Sequence, residues 1–482
     1  MPSGSTNRSK TAYVLESTFG TTPATPAFQE LRVTSNGLEY KPTRTTSAEI
    51  RSDRQVSDQI LTKFDASGTI GLELSFQTFD DFLQAVLQGT WVNQPQQSVT
   101  ALTTTTATVA AGTTFKAQML ALTSGFAVSA NNGLFVVSSS GSTSVVFPAS
   151  SFTAEASPPA AAALRVVGFQ GASGDIVAVT NGLNSTSLDF TTLGLSVGEY
   201  VLIGGDAAAT QFATAADNGW ARILSIAAHA IVFDVFPASW AADAGTSKTI
   251  QVFYGDFVAN GTTQRSFTIE RQQQDLTSPS YEYFTGMQLD QMALTLKASA
   301  IITGSMDFMG MGASASTTRF AGATDLSPTT TPVMNAASNV GTLLVGGSAV
   351  GGPSYISELG MTIKNNLAEQ DAVGSLPAIG IRNGELDVSG NFTSYFGDLT
   401  NLNLVLNDSD TSIMFRAKRT DASAVGQCNI FSVPAAKVTG TSPVSAKNQD
   451  RMFTGTYQAK KSATLGITAS AQRIWYLPLV AR

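Results

Sequence analysis

Among 482 residues the chain has one cysteine, Cys428, and one histidine, His229. That scarcity nearly closes three routes: zinc sites built from Cys and His, a disulfide framework, and catalysis on a histidine base. Charge is sparse as well. Only 13% of residues are Asp, Glu, Lys or Arg, roughly half of what soluble proteins carry. The 28 basic residues are outnumbered by 35 acidic ones, for a net charge of −7. This argues against gripping nucleic acid by neutralising phosphates, which needs clustered Lys and Arg. A protein past which DNA slides without sticking remains allowed. The N-terminus, Met1 to Lys10, has no apolar leader core, and no run of about 18 apolar residues occurs. The expectation is a soluble protein used without secretion.

What remains is apolar and small. With 43% apolar residues the chain can bury a sizeable core, which excludes a disordered chain. Its 42 Gly and abundant Ser, Thr and Ala read as a β-rich structural protein.

Two internal repeats set the organisation. In the smaller one, Ala130-Asn131-Asn132-Gly133-Leu134 recurs as Ala216-Asp217-Asn218-Gly219-Trp220. Phe147-Pro148-Ala149-Ser150-Ser151 recurs as Phe236-Pro237-Ala238-Ser239-Trp240, and Leu164-Arg165-Val166-Val167 as Ile250-Gln251-Val252-Phe253. The offsets of 86, 89 and 86 residues are nearly constant. Each unit reads as short strands joined by turns, with Asn-Gly supplying the positive φ of a hairpin turn.

The larger repeat matches Phe64-Asp65-Ala66-Ser67-Gly68-Thr69-Ile70 to Leu386-Asp387-Val388-Ser389-Gly390-Asn391-Phe392. Upstream, Gly37-Leu38-Glu39-Tyr40 corresponds to Glu358-Leu359-Gly360-Met361. Downstream, Thr303-Gly304-Ser305-Met306 corresponds to Thr454-Gly455-Thr456-Tyr457. From shared Asp to last Gly the first copy is 171 residues longer than the second, about two modules. One fold is therefore used twice, with two modules spliced into the first copy. The expected division is a split first domain, 1–97 with 257–315, holding β modules 98–171 and 172–256. A connector, 316–350, and a second domain, 351–482, follow.

The repeated segment alternates with period two, the pattern of a strand with one buried and one wet face. Phe64, Ala66, Ile70, Leu72, Leu74 and Phe76 oppose Lys63, Asp65, Ser67, Thr69, Glu73 and Ser75. In the second copy Leu386, Val388 and Phe392 oppose Glu385, Asp387, Ser389, Asn391 and Thr393. A later strand sets Ile302, Met306 and Phe308 against Thr303, Ser305 and Asp307. Such length suggests a barrel or an extended sheet. Thr78 to Gly89 follows with helical spacing of Phe79, Phe82, Leu83 and Val86, Thr78 placed to cap and Gly89 to stop it. Its counterpart is Asp398 to Asn407, with Leu399, Leu402 and Leu406.

No catalytic, cofactor-binding or metal-ligating set emerges. Asp408-Ser409-Asp410 starts like a calcium loop, but Ile413 and Arg419 stand where Gly and Glu are needed. No phosphate-binding GxxxxGK[ST] loop occurs. His229 has no partner motif, Cys428 reads as a small buried residue, and Asp80-Asp81 is explained by the helix start.

The doubled β fold, the helix after a long two-faced strand and the inserted modules together resemble the tail tube (major tail) proteins of tailed bacteriophages. The residues that carry the likeness run from Ile50 to Asp58 into Phe64-Asp65-Ala66-Ser67-Gly68, then Thr78 to Leu83. In the second half they run from Asn365 to Gln370, through Ile379-Gly380, to Leu386-Asp387-Val388-Ser389-Gly390. The resemblance implies a mainly β chain with two tail-tube-like sandwich or barrel domains. It further implies rings that close a continuous β-barrel and stack into a hollow tail conducting the genome.

Two domains per chain point to three chains per ring, a pseudo-hexamer. Tail terminator, tape measure and distal tail proteins would be the partners, with assembly in the host cytoplasm. On this reading an acidic, hydroxyl-rich wall of Asp65, Ser67, Thr69, Glu73, Ser75, Thr303, Ser305, Asp307, Glu385, Asp387, Ser389, Asn391 and Thr393 faces the lumen. DNA would pass it without adhesion. Modules projecting outward favour a long non-contractile tail. The rivals are a surface decoration protein or adhesin of tandem β modules, and a carboxylate-only glycosidase.

Overall fold

A computed structural model describes residues 4–481 apart from 347, 350–354, 422, 424, 442 and 444–446. The expected boundary between connector and second domain, at 350/351, lies outside the described residues.

The long strands of the first copy begin with β1 (Ser9–Leu15), β2 (Glu39–Thr46) and β3 (Gln59–Glu73). After helix α1 (Asp80–Leu87) come β4 (Asp256–Ala259), β5 (Phe267–Gln273), β6 (Ser280–Lys297) and β7 (Thr303–Gly310). The second copy has β8 (Val340–Val345), β9 (Ile356–Lys364) and β10 (Asp387–Tyr395). Helix α2 (Thr400–Leu406), β11 (Asp410–Lys418), β12 (Cys428–Gly440), β13 (Met452–Ala459) and β14 (Ser470–Ile474) complete it.

The duplication is visible in the pairing. The first copy pairs in the order β1-β5-β6-β7-β3-β2. The second pairs β8-β11-β12-β13-β10-β9, every contact antiparallel as in the first. The two halves are one sheet because β6 also pairs with β9, from Gln291 opposite Lys364 to Lys297 opposite Glu358. Within one chain this sheet does not close into a barrel among the described residues.

A detail of close approach aligns the copies. A Cβ on Gly68 would meet the Gly37 carbonyl oxygen at 2.2 Å, and one on Gly390 would meet that of Gly360 at 2.1 Å. These glycines let two backbones touch where a side chain would separate them. With Gly68 equivalent to Gly390, Phe308 opposite Gly68 matches Tyr457 opposite Gly390. The structural counterpart of Gly455 is therefore Met306, two residues from the Gly304 that sequence similarity selects.

The apolar strand positions Ala66, Ile70, Leu72, Met306, Phe308, Val388 and Phe392 are buried in one core with the helix residues Phe82, Leu83 and Val86. Thr78 does not cap α1. Its hydroxyl hydrogen-bonds Ser75 Oγ and Thr329 Oγ1, each at 2.5 Å, and Phe79 takes the N-cap position. The helix ends on Gln88 in the left-handed region, φ 49°, while Gly89 is needed because a Cβ there would meet the Ala259 carbonyl at 2.0 Å.

The inserted modules share a separate core and one 13-stranded sheet. Their repeat holds down to single hydrogen bonds. Asn132 Oδ1 accepts from Phe126 N at 2.9 Å and Asn218 Oδ1 from Phe212 N at 2.9 Å. Asn131 Oδ1 accepts from Thr153 N and Asp217 Oδ1 from Ala241 N, both at 2.8 Å. The expected Asn-Gly hairpin turns are absent: Asn132 and Asn218 are extended, with φ −95° and −94°. Each asparagine side chain instead clamps a 3-10 turn, and the following glycine begins a strand. Local propensity lost to this side-chain clamp.

A buried charge cluster joins the modules to the body. Asp256, at the module exit, accepts from Arg473 Nε (2.9 Å), Trp475 Nε1 (2.7 Å) and Gln94 N (2.8 Å). Arg473 also binds Asp80 of α1, and Arg165 stacks 3.6 Å above the Trp475 ring. Nearby, Glu199 is fully buried, its carboxylate accepting from Ser196 N (2.9 Å) and Gly255 N (3.3 Å). Burial pushes this carboxyl up to about 8. The native state thus keeps a proton that the unfolded chain, near 4.5, has released, so Glu199 makes stability fall as pH rises from about 4.5 through about 8. Thermal unfolding across that window should show a decline worth on the order of a few kcal/mol, and Glu199→Gln should flatten it. An unchanged pH profile in the variant would refute the assignment.

Candidate functional face of the sheet

The strict alternation of the strands puts polar residues from both copies on one face. Thr69, Asp307, Gln291, Lys364 and Asp387 lie opposite one another in sequence across five strands. Asp307 accepts from Thr69 Oγ1 (2.7 Å) and Gln291 Nε2 (3.0 Å), and Asp387 from Gln458 Nε2 (2.6 Å). The adjacent row runs Ser305, Ala293, Thr362, Ser389, Gln458, Lys437, Asp410. A third brings Glu73, Thr303, Thr295 and Gly360 into line, with Asn391, Thr456 and Thr439 continuing it in the second copy. Cross-strand hydrogen bonds of this kind order the side chains along the face.

Asp65, Ser67, Thr69, Glu73, Thr303, Ser305, Asp307, Asp387, Ser389, Asn391 and Thr393 all share this face, half-buried or exposed. Two predicted residues do not. Ser75 is only 2% exposed and hydrogen-bonds Thr78, because β3 ends at Glu73 and the chain turns into the core. Glu385 is exposed but precedes β10, in a loop where its carbonyl accepts from Asn366 Nδ2.

The expectation of an acidic wall is corrected by the strands that sequence reading left off it. Lys364 stands opposite Asp387. Lys63 lies 3.6 Å from Asp65, Lys41 3.0 Å from Glu39 and Lys437 3.1 Å from Asp410. Opposite charges meet across strands at Lys364/Asp387 and Lys437/Asp410 and along one strand at Lys63/Asp65 and Lys41/Glu39, so the face is hydroxyl-rich and mixed in sign. The signal was available in the alternation of Glu358, Gly360, Thr362 and Lys364, and of Thr454, Thr456 and Gln458.

A model of the phage tail tube protein family matches the chain twice, over residues 6–223 and 205–469. The chain belongs to that family. No curated protein matches it. The family supplies the coarse role, a structural subunit of a phage tail tube and hence a component of the virion that assembles with itself.

Nothing else in this tail tube protein forms a competing centre among the described residues. No group of three His, Cys, Asp or Glu residues is placed to hold a metal ion. Asp410 of the calcium-like loop is engaged by Lys437 and Lys460. His229 sits in the turn Ala228-His229, its Nδ1 2.8 Å from the Leu188 carbonyl oxygen. Cys428 is buried and unpaired, its thiol pushed up to about 12 by burial. A 760 Å³ cleft between module and body is lined by Gln77, Arg165, Gln427 and Trp475 and by no carboxylate. Glu30 and Glu73 do share a 380 Å³ cavity, but Glu30 is ion-paired with Lys10 at 3.3 Å. Among the described residues no helix is long and apolar enough to cross a membrane.

Proposed function

We propose that three chains form each ring of the tail tube, that rings stack into a hollow conduit, and that the hydroxyl-rich face lines its lumen. The observation carrying this reading is the doubled strand order, which gives each chain two tube units joined edge to edge in one sheet. Three such chains supply six units, and head-to-tail association of identical chains closes a ring when the rotation permits. A barrel wide enough for duplex DNA needs its polar strand face inward and its apolar face covered from outside. Paired charges and hydroxyls leave few unmatched cations to hold phosphates, so DNA passes with little adhesion.

The two inserted modules project outward, which favours a non-contractile tail. Tail terminator, tape measure and distal tail proteins are the expected partners, and assembly takes place in the host cytoplasm before genome ejection. Electron microscopy of the purified chain tests this directly. Hollow rings or tubes with threefold cross-section are expected. A strictly sixfold section, or monomers persisting at high concentration, would overturn it.

A further inference from the structure

The two copies differ in what covers them. Residues 42–64 and 365–386 are arms of nearly equal length between equivalent strand positions, Lys41 to Asp65 and Lys364 to Asp387. The second arm folds back onto the first copy. Asn365 Nδ2 donates to the Val86 carbonyl of α1 (3.0 Å), Phe64 N to the Leu376 carbonyl (3.0 Å), and Gln88 and Asn383 exchange two amide hydrogen bonds at 2.8 Å. Glu369 and Asp371 of this arm flank Lys63.

Apart from Lys63 and Phe64 at its base, the first arm makes no hydrogen bond or ion pair to the second copy among the described residues. β2 is exposed along its whole length, its outer edge pairs with no strand among the described residues, and Ile50 and Val56 at the tip are open to solvent. The surface equivalent to the one that the second arm covers is bare too. Phe79 and Val86 of the α1 segment are 2% and 0% exposed, whereas Leu399 and Leu406, at the same places beside α2, are 57% and 69% exposed. α1 packs on β6, β4 and β9, while α2 packs chiefly on β12. An apolar face and a sheet edge left open together mark an interface.

We propose, on the footing of the ring reading above, that the 42–64 arm of one chain docks on α2 and the β12 edge of a second copy, repeating the internal seam between chains. The pairing of Gln291 with Lys364 then maps onto Thr439 of one chain opposite Lys41 of the next. Charge fits the same assignment with its sign exchanged. Glu385 occupies in the second copy the position of Lys63 in the first, and over its whole length the free arm sets Arg44, Arg51, Arg54 and Lys63 against Glu49, Asp53 and Asp58, whereas the docked arm sets Arg382 against Glu369, Asp371 and Glu385. A second-copy arm on a second-copy surface would set acid against acid, so the exchange enforces alternation of the two copies round the ring.

The test uses the full chain with Lys41→Cys and Thr439→Cys, Cys428 being buried. Mild oxidation of assembled material should join most chains into covalent dimers and closed trimers. Thr45→Cys with Thr439→Cys, four residues out of register, should give at least tenfold less. Rings that form without the first cross-link, or that cross-link equally with both pairs, overturn the docking and leave the tube reading standing. Absence of rings from the unmodified chain overturns the tube reading and the docking with it.

Discussion

Replacing Asp256 with alanine is expected to cost about 3–5 kcal/mol. The Asp256 carboxylate is inaccessible to water and receives Arg473, Trp475 and the Gln94 amide, with Arg165 a further 3.5 Å away. Removing it leaves the Arg473 and Arg165 guanidinium groups close together, buried and short of their main anion. The two segments that carry the inserted modules, near Gln94 and Asp256, lose their common anchor to β14. Denaturant unfolding should show the loss, and limited proteolysis should cut near residues 93 and 256 first. Asp256→Asn, which keeps part of the hydrogen bonding without the charge, should fall between. A loss below about 1 kcal/mol would mean that the cluster's desolvation cost offsets its attraction, as it does in some buried ion pairs.

The second large effect tests the asymmetry of the two copies. Phe82 is fully buried, its ring centroid 4.7 Å from Tyr13, 5.1 Å from Phe267 and 5.8 Å from Phe308. Phe82→Ala opens a cavity among these rings and should destabilise the chain by about 3–5 kcal/mol. Leu402 holds the equivalent place on α2 but is only half-buried. Leu402→Ala in the isolated chain should therefore cost about 1 kcal/mol or less, since little packing is lost. Equal losses at the two positions would show that α2 is as well covered as α1, contrary to the exposures of Leu399 and Leu406. Both measurements need only chemical denaturation of the dispersed chain.

The contrast between the helices shows what a repeated sequence does and does not carry. Phe79, Phe82, Leu83 and Val86 advertise a buried face by spacing, and Leu399, Leu402 and Leu406 advertise the same. Only the structure tells that the first is covered by the second copy's arm and by β4, while Leu399 and Leu406 beside the second are left exposed. The charge of the polar face follows the same logic. Read strand by strand, Asp65, Glu73, Asp307 and Asp387 form an acidic wall. Pairing then brings in Lys364 opposite Asp387 and Lys437 opposite Asp410 from neighbouring strands, and the sign becomes mixed. Ser75 was misplaced for a related reason, because alternation persists in the sequence after the strand itself has ended at Glu73.

Sequence alone determined the β class, the doubled domain, the paired modules and the scarcity of histidine and cysteine from which a site could be built. Each of these is local or periodic, and alternation, repeat offset and composition survive without knowledge of partners. The tertiary structure decided which strands meet and in what register, and hence which charges neutralise each other. It also replaced the Asn-Gly hairpin turns by asparagine clamps on Phe126 and Phe212, and it left one arm docked and its twin free. Those outcomes depend on contacts between segments far apart in the chain, where packing and charge pairing outweigh local preference.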